Sequence, residues 1–228
     1  MTLSQSQLNS PLHNTTLLSL ENSCLLEATG LECVRGECRL FAGVGFRLCA
    51  GEMLFLQGKN GSGKTSLLRM LCGLAPAAAG EICWRGVAIG KRGEDYRREL
   101  CYLGHQNAIK EELTPLENLL ASARLADEAL AADAALDALE RFGLAGREHL
   151  ACRYLSQGQK RRVALARLVH ERRALWVLDE PYVALDPAAI ALLAGLVGAH
   201  LQRGGLAALT THQAVDVTAG TVRELRLD

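Results

Sequence analysis

The loop from Gly58 to Thr65 has residue types and a spacing suited to phosphate binding. Its sequence fits the pattern G-x-x-x-x-G-K-[ST]. Glycines let the backbone curl until its N–H groups point at a phosphate, the lysine can bridge β- and γ-phosphates, and the last hydroxyl can hold Mg²⁺. The loop therefore predicts binding of a nucleoside triphosphate. The residues expected to hold it are Gly58, Lys59, Asn60, Gly61, Ser62, Gly63, Lys64 and Thr65.

A pair of acids, Asp179 and Glu180, follows the apolar run from Leu175 to Leu178. A buried parallel strand delivers a carboxylate at its C-terminal end to the edge of the sheet, where a phosphate loop also lies. We expect Asp179 to hold Mg²⁺ and Glu180, on the opposite face of the pleat, to polarise an attacking water as general base. Either acid alone could be a solvated strand end, but the phosphate loop favours the catalytic interpretation.

The elements around these residues follow an α/β pattern. Residues 53–56 are an apolar run that predicts a buried strand before the loop, and residues 64–72 have a helical pattern that Gly73 ends. Strand-like and helical patterns then alternate, which is typical of a parallel-sheet core. We expect further strands over 82–84, 100–104, 174–178, 206–210 and 221–227, and helices over 161–172 and 188–201, with two more within 117–142.

Two additions to this core are expected. Residues 25–46 alternate in short stretches with turn signals at Gly30, Gly36 and Gly43, which predicts antiparallel strands. Residues from about 107 to 170 are predominantly helical. The predicted fold class is therefore α/β, a P-loop NTPase core with a mostly parallel sheet and flanking helices, plus an N-terminal antiparallel β subdomain and a helical subdomain. We assign 24–228 to this domain and expect 1–23, which lack sustained periodicity, to be poorly ordered.

Composition excludes several classes of protein. The 228 residues suffice for one sizeable core, and 25 basic against 25 acidic residues leave no bulk field for nucleic acid or an anionic membrane. The basic group Lys160–Arg162 is explained as well by a solvated helix face as by a partner. Apolar stretches fall short of the roughly 18 residues that a membrane helix needs, and the N-terminal segment lacks the regions of a secretory signal. We expect a soluble or peripheral protein.

The eight cysteines are scattered and form no C-x-x-C pair. Several lie inside apolar runs, as small hydrophobic residues do in proteins whose thiols stay reduced. Cys33 and Cys38 could be argued as a metal or heme pair, but no nearby histidine completes such a site.

The segment Leu155–Gln159, sequence LSQGQ, resembles the LSGGQ signature of ABC ATPases, with Gln157 in place of the first glycine. Ser156 and the Gly158 backbone lie at an expected helix N-terminus, which suits a γ-phosphate. The alternative is a capping box between Ser156 and Gln159, and the two interpretations are compatible.

Three more segments resemble ABC motifs in family order, so that the resemblance covers residues 58–213. Residues 181–186, ending in Asp186, resemble the D-loop; Thr210-Thr211-His212-Gln213 resembles the segment with the switch histidine; Gln106 matches the Q-loop glutamine. The resemblance implies catalytic roles for Gln106 and His212 beside Glu180. It also implies that Gln106 senses Mg²⁺ and contacts a membrane partner, and that Asp186 lies at the ATP site.

Within that superfamily the chain is similar to the CcmA family, the ATPases of cytochrome c maturation. The similarity is carried by residues 102–110, 113–119, 159–168, 175–181 and 209–213. It implies a head-to-tail dimer in which Ser156, Gly158 and Gln159 complete the ATP site of a second copy. It further implies integral membrane transporter subunits as partners, a peripheral place on the cytoplasmic face of the bacterial inner membrane, no nucleic acid, and ATP hydrolysis with Mg²⁺ that drives heme export or delivery.

The resemblance is imperfect at the expected adenine contact. ABC subunits usually stack adenine on an aromatic side chain, and this position is Arg35, whose guanidinium can also stack on a base. Phe41 is a possible substitute. The alternative functions are an ABC subunit for another transported substrate and a soluble ABC ATPase for assembly of the iron–sulfur type. A nucleotide-gated scaffold without turnover would be expected to lack Glu180.

Overall fold

The computed structural model describes residues 24–211 and 220–227. The expectations for residues 1–23 and for His212 and Gln213 lie outside the described residues. The fold class expected from the sequence is confirmed: a mixed α/β architecture in which an antiparallel sheet packs beside a parallel one.

The strands of the antiparallel sheet are β1 (Cys24–Arg35), β2 (Cys38–Cys49), β4 (Ala79–Trp84) and β5 (Val87–Ala88). Their order in the sheet is β2-β1-β4-β5. The expected turn occurs at Gly36, between β1 and β2, but the turns expected at Gly30 and Gly43 are wrong. Both glycines have a left-handed φ inside long strands, where the β1–β2 register shifts, so each marks a bulge rather than a reversal.

The strands of the parallel sheet are β3 (Glu52–Gly58), β6 (Leu100–Leu103), β7 (Leu175–Leu178), β8 (Leu206–Thr210) and β9 (Thr221–Leu227). Their order in the sheet is β6-β7-β8-β3-β9, and the phosphate loop follows β3. Every residue of β7 and β8 is buried, because helices and the antiparallel sheet cover both faces.

The helices lie between these strands. The expected end of the loop helix, the pair of helices within 117–142 and the helix from about 188 are all observed. The helices are α1 (Lys64–Leu71), α2 (Ile89–Arg92), α3 (Glu94–Arg98), α4 (Pro115–Leu125), α5 (Ala132–Arg141), α6 (Gln157–Ala166) and α7 (Pro187–Gln202).

The expected helix over 161–172 has the wrong bounds. Helix α6 begins at Gln157 because the Ser156 hydroxyl accepts from the Gln159 N–H and the Gln159 side chain accepts from the Ser156 N–H, which is a capping box. It ends at Ala166, where the backbone tightens into a 3₁₀ turn over Arg167–Val169.

Two buried clusters support the site. One joins the antiparallel sheet to α1, and its largest aromatic residues are Trp84 and Tyr96. The other joins the parallel sheet to α4–α7, with Trp176 at its centre. In the part of the chain that the structure describes, no helix combines the length and the apolarity needed to cross a membrane.

Candidate active site

The phosphate loop is built on glycines that no other residue can replace without strain. Gly58, Gly61 and Gly63 have φ values of 147°, 86° and 99°, which favour glycine. A Cβ on Gly58 would lie 2.6 Å from Ser62 Oγ, and one on Gly63 would lie 2.9 Å from the Phe41 ring. The loop therefore needs glycine both for its conformation and for close packing.

The side chain of Lys64 is held against the loop. Its Nζ donates to the carbonyls of Gly58, over 2.7 Å, and Lys59, over 3.0 Å, and the residue is buried at the first position of α1. The ammonium group is thus positioned among backbone groups of the loop, where a bound phosphate can compete for its N–H groups.

Asp179 is placed for a metal ion. It is 1% exposed, its Oδ1 accepts a hydrogen bond of 2.8 Å from Thr210 Oγ1, and its Oδ2 has no hydrogen-bond partner among the described residues. A buried carboxylate oxygen without a donor is costly unless a cation or water satisfies it. Thr65, with an exposed hydroxyl-bearing side chain, lines the same cavity. One carboxylate, one hydroxyl and phosphate oxygens are the hard oxygen ligands that Mg²⁺ prefers, so these residues fit the ion.

Glu180 lies beside Asp179, but the argument from strand alternation is wrong. Strand β7 ends at Leu178, and Glu180 has a left-handed φ of 48°. Its N–H donates to Thr210 Oγ1 over 2.9 Å. The direction of its side chain is therefore set by a turn that Thr210 holds, and not by the pleat of a continuing strand.

A cavity of about 560 Å³ brings eight of the expected residues together. Sequence reasoning missed four of its residues, Leu40, Ser66, His105 and Val183; His105 directly precedes the expected Gln106, which was the available signal. The remaining lining residues were all expected: Arg35, Asn60, Gly61, Gly63, Lys64, Thr65, Asp179 and Glu180.

The residue expected to stack on the nucleotide base, Arg35, lies at one wall of this cavity. Arg35 is exposed and lines it, whereas Phe41 is only 7% exposed because its ring packs on Gly63. Phe41 does not line the cavity, and its burial leaves little of the ring free to stack on a nucleotide base, so the structure does not support it as the substitute.

Several expected residues do not line the cavity. Gly58, Lys59 and Ser62 form the base of the loop. Gln106 is exposed in the segment after β6, and the signature residues Ser156, Gly158 and Gln159 lie at the start of α6. His212 lies outside the described residues.

The signature segment packs against the D-loop segment of its own chain. A Cβ on Gly158 would lie 2.9 Å from the carbonyl oxygen of Ala184, a residue with a left-handed φ of 60°. Asp186 uses both carboxylate oxygens nearby: Oδ1 accepts from the Ala189 N–H and caps α7, and Oδ2 pairs with Arg162 over 2.8 Å. Within this chain, Asp186 thus connects α6 to α7.

The interpretation of Lys160–Arg162 as a solvated helix face is wrong for two of its members. Lys160 is 7% exposed and pairs with Glu111 over 2.6 Å, and Arg161 is 5% exposed. Sequence reasoning missed Arg161 because a basic run does not reveal which of its members faces inward.

The cysteines provide no alternative site in the described residues. Cys33 is buried opposite Phe41, whereas Cys38 is exposed opposite Arg35. Residues 24–211 and 220–227 contain no group of three or more His, Cys, Asp or Glu side chains arranged to hold a metal ion.

Comparisons with known proteins agree with this geometry. Residues 41–183 match the family described as ABC transporter. The Cytochrome c biogenesis ATP-binding export protein CcmA of Dechloromonas aromatica (strain RCB) is 70% identical over 89% of this chain and 100% of its own length. The protein of the same name from Nitrosomonas europaea is 52% identical over 89% of this chain and 95% of its own length.

Solved structures give the same result for the fold. A structure of the ATP-binding subunit of an ABC transporter has a TM-score of 0.73 and 30% identity, covering 82% of this chain and 79% of the other. The dimeric post-hydrolysis state of an ATP-binding cassette bound to ADP and Pi has a TM-score of 0.74 at 22% identity, covering 90% of this chain and 97% of the other, and supports the fold alone.

The fold and the cavity define an ATPase of the ABC transporter class, which hydrolyses ATP to ADP and phosphate. At 70% identity to a relative covered over its full length, the chain belongs to the CcmA family of cytochrome c biogenesis export ATPases.

Proposed function

We propose that this chain is the ATP-hydrolysing subunit of an ABC complex that exports or delivers heme for cytochrome c maturation, acting as a peripheral protein on the cytoplasmic face of the inner membrane. The proposal that the chain hydrolyses ATP is carried by one observation: Lys64, Asp179 and Glu180 line the same cavity. The names of the relatives support export in cytochrome c biogenesis.

The residues expected to bind ATP and Mg²⁺ have separate roles in this proposal. Residues Gly58–Thr65 wrap the phosphates with backbone N–H groups, Lys64 neutralises the β- and γ-phosphates, and Arg35 stacks on the base. Thr65 and Asp179 would hold Mg²⁺, and Gln106 would be a further ligand. When bound, the ion supplies positive charge against the charge that develops on the transferred phosphoryl group.

Glu180 is the proposed general base. Glu180 lines the cavity beside Asp179, and its carboxylate accepts a proton from the water that attacks the γ-phosphorus. His212, two residues beyond the end of β8 in the sequence, is proposed to contact the γ-phosphate region, as the ABC resemblance implies. The reaction breaks the bond between the γ-phosphorus and the β–γ bridging oxygen, so that ADP carries away the bond electrons.

A second copy is proposed to complete the site. Ser156, Gly158 and Gln159 stand apart from the cavity of their own chain, and Ser156 is exposed at the N-terminus of α6. Helix N-termini attract phosphate, so this end is suited to the γ-phosphate of a facing subunit. Closure would exclude bulk water from a cavity that one chain leaves open. Asp186 would lie at the same interface.

Integral membrane subunits are the other proposed partners. We assign residues 24–228 to one ABC ATPase domain, with a helical subdomain over about 107–170, and place the membrane contact at this subdomain and at the segment of Gln106. Support comes from the exposed apolar and aromatic side chains there, Leu125 at 91% and Tyr154 at 65% exposure.

The Glu180→Gln variant tests the hydrolytic proposal. Loss of the base should lower steady-state ATP turnover by about 10²–10⁴-fold, while ATP binding is retained and ATP-bound dimers accumulate. Glu94→Gln is the matched control, because Glu94 is 73% exposed and pairs only along its own helix with Arg98. Turnover by Glu180→Gln equal to that of the control would remove Glu180 as the base.

The heme proposal has a separate test. The full-length chain is purified from membranes in mild detergent, and its associated subunits and heme absorbance are measured. We expect integral membrane subunits and heme to accompany the chain. Co-purification of membrane subunits with no heme in any nucleotide state would leave the ATPase assignment standing and contradict the heme assignment.

A further inference from the structure

Arg161 extends from α6 into the space between two loops of the active site. The residue is 5% exposed, and each of its four terminal N–H groups has a partner. Nη1 donates to the Gly104 carbonyl over 3.0 Å and to Asn107 Oδ1 over 3.2 Å. Nη2 donates to the carbonyls of Asp179 and Glu180, each over 2.9 Å. The guanidinium thus connects three segments that are far apart in sequence.

The acceptors of Arg161 flank the residues with proposed chemical roles. Gly104 and Asn107 bracket His105 and Gln106, so that Arg161 holds both ends of the Q-loop segment. The carbonyls of Asp179 and Glu180 lie at the point where β7 ends and the chain turns toward the cavity. Arg161 itself does not line the nucleotide cavity, although two of its acceptors belong to Asp179 and Glu180, which do.

The conformation of Glu180 explains why such support is needed. A non-glycine residue in the left-handed region costs about 1–3 kcal/mol and persists only where its surroundings hold it. At Glu180, with φ of 48°, Thr210 Oγ1 accepts from the N–H and Arg161 donates to the carbonyl. Both sides of this strained residue are therefore fixed by side chains, one from β8 and one from α6.

Burial of the charged Arg161 side chain is energetically unfavourable. Burial lowers the pKa of its guanidinium, while the negative charges of Asp179 and Glu180 act in the opposite direction. Its backbone and amide acceptors are neutral groups. A buried cation bonded mainly to neutral oxygens adds little to the free energy of unfolding compared with an apolar side chain of similar size. The presence of Arg161 here therefore favours a role in orienting the segments that it bonds.

We propose that Arg161 is a positioning residue for ATP hydrolysis, which sets the orientation of Glu180 and of the Gln106 segment through their backbones. This inference rests on the proposed role of Glu180 as the base. Arginine suits the task because its planar fork reaches four acceptors in fixed directions, whereas a lysine ammonium cannot span two loops. Helix α6 begins next to Ser156, which is proposed to face the second copy. The same helix carries Arg161, which positions the proposed general base Glu180 of its own chain.

Three variants of the full-length chain, assayed in membranes of cells that express the export complex, test the proposal. Arg161→Gln removes the fork and the charge, and Arg161→Lys keeps the charge without the fork. Lys160→Met is the matched control, because Lys160 is an adjacent buried cation of α6 that bonds to Glu111 and not to the site. Turnover, the KM for ATP, equilibrium binding of a fluorescent ATP analogue and the thermal midpoint of unfolding are measured for each.

We expect Arg161→Gln to lower kcat by about 10²-fold, the typical effect of misplacing a reacting group by 1 Å, with the KM for ATP and analogue binding within about twofold of wild type. Arg161→Lys should give an intermediate kcat although it retains the charge. Equal kcat for Arg161→Lys and Lys160→Met at equal thermal midpoints would overturn the proposal, as would a rise in KM without loss of kcat. Full turnover by Glu180→Gln would instead refute the base assignment, whatever Arg161 does.

Discussion

The hydroxyl of Thr210 joins the two acids of the site: it donates to Asp179 Oδ1 over 2.8 Å and accepts from the Glu180 N–H over 2.9 Å. Thr210 is fully buried at the end of β8. One side chain from the neighbouring strand thereby orients the carboxylate proposed for Mg²⁺ and fixes the backbone of the proposed base.

Thr210→Val should therefore affect both stability and turnover. Valine has the same shape but leaves the Glu180 N–H and Asp179 Oδ1 without this partner in a buried site, which costs about 1–3 kcal/mol of unfolding free energy. We also expect a lower kcat, because Glu180 loses one of the two hydrogen bonds that fix its backbone. Thr210→Ser restores a hydroxyl and should recover most of both quantities. Denaturant unfolding and ATPase assays measure them, and equal behaviour of the two variants would contradict the role of the hydroxyl.

Gly158→Ala tests the packing of the signature segment on the D-loop. The new Cβ would meet the Ala184 carbonyl at 2.9 Å, and a backbone oxygen can move away only by shifting the loop. We expect ATPase turnover to fall while ATP binding to the chain's own phosphate loop is kept. Gly195→Ala at an exposed position of α7 is the matched control, since nothing lies within 4 Å of its added Cβ. That control should stabilise the protein by about 0.5–1 kcal/mol at unchanged turnover.

Local patterns predicted the parts of the site that are contiguous in sequence. The glycine loop and its helix, and the acids after an apolar run, are short-range features, because strand, loop and helix follow one another within a few residues. The capping box at Ser156 and Gln159 is likewise local. These features need no knowledge of how distant segments pack.

Other features depend on packing that no local pattern encodes. The alternation of side chains along a strand predicted that Glu180 continues the pleat of β7. The strand instead ends two residues earlier, because hydrogen bonds from Thr210 and Arg161 hold the chain in a turn. Arg161 is indistinguishable in sequence from Arg162, and only the packing of α6 against the ends of β6 and β7 decides which faces inward. The burial of Phe41 against Gly63 likewise depends on packing between segments that are distant in sequence.

Arg35→Ala should weaken ATP binding about two- to fivefold, the loss of a stacked cation–π contact of about 0.5–1 kcal/mol. Arg35→Trp should bind ATP at least as tightly as wild type, since an aromatic ring restores the stack. Arg39→Ala is the control on the same hairpin: its side chain is 68% exposed, lies 3.8 Å from Glu32, and does not line the cavity. Equilibrium binding of ATP measures the effect. Equal affinities of the two alanine variants would show that Arg35 does not contact the base.

His200 should make stability fall in mild acid. The residue is 3% exposed at the end of α7, its ring stacks on Trp176 with centroids 4.1 Å apart, and Nε2–H donates to the Leu206 carbonyl over 3.0 Å. Burial, aided by Arg203, lowers the pKa of the imidazole below its ordinary value, although Glu171 and the hydrogen bond to Leu206 act in the opposite direction. The folded protein therefore keeps this ring neutral at pH values where the unfolded chain protonates it.

The sign of the effect follows from proton binding. Between the lowered pKa of the folded state and the ordinary value of about 6.5, the unfolded chain binds more protons, so the free energy of unfolding decreases as the pH falls, by at most about 1.4 kcal/mol per pH unit. Above about pH 7 the contribution is complete. His200→Gln should be less stable than wild type at pH 7.5, because it loses the stacked ring, but its stability should decline less between pH 7 and pH 5. Denaturant unfolding at half-unit intervals measures both curves, and parallel curves would show that another group carries the acid sensitivity.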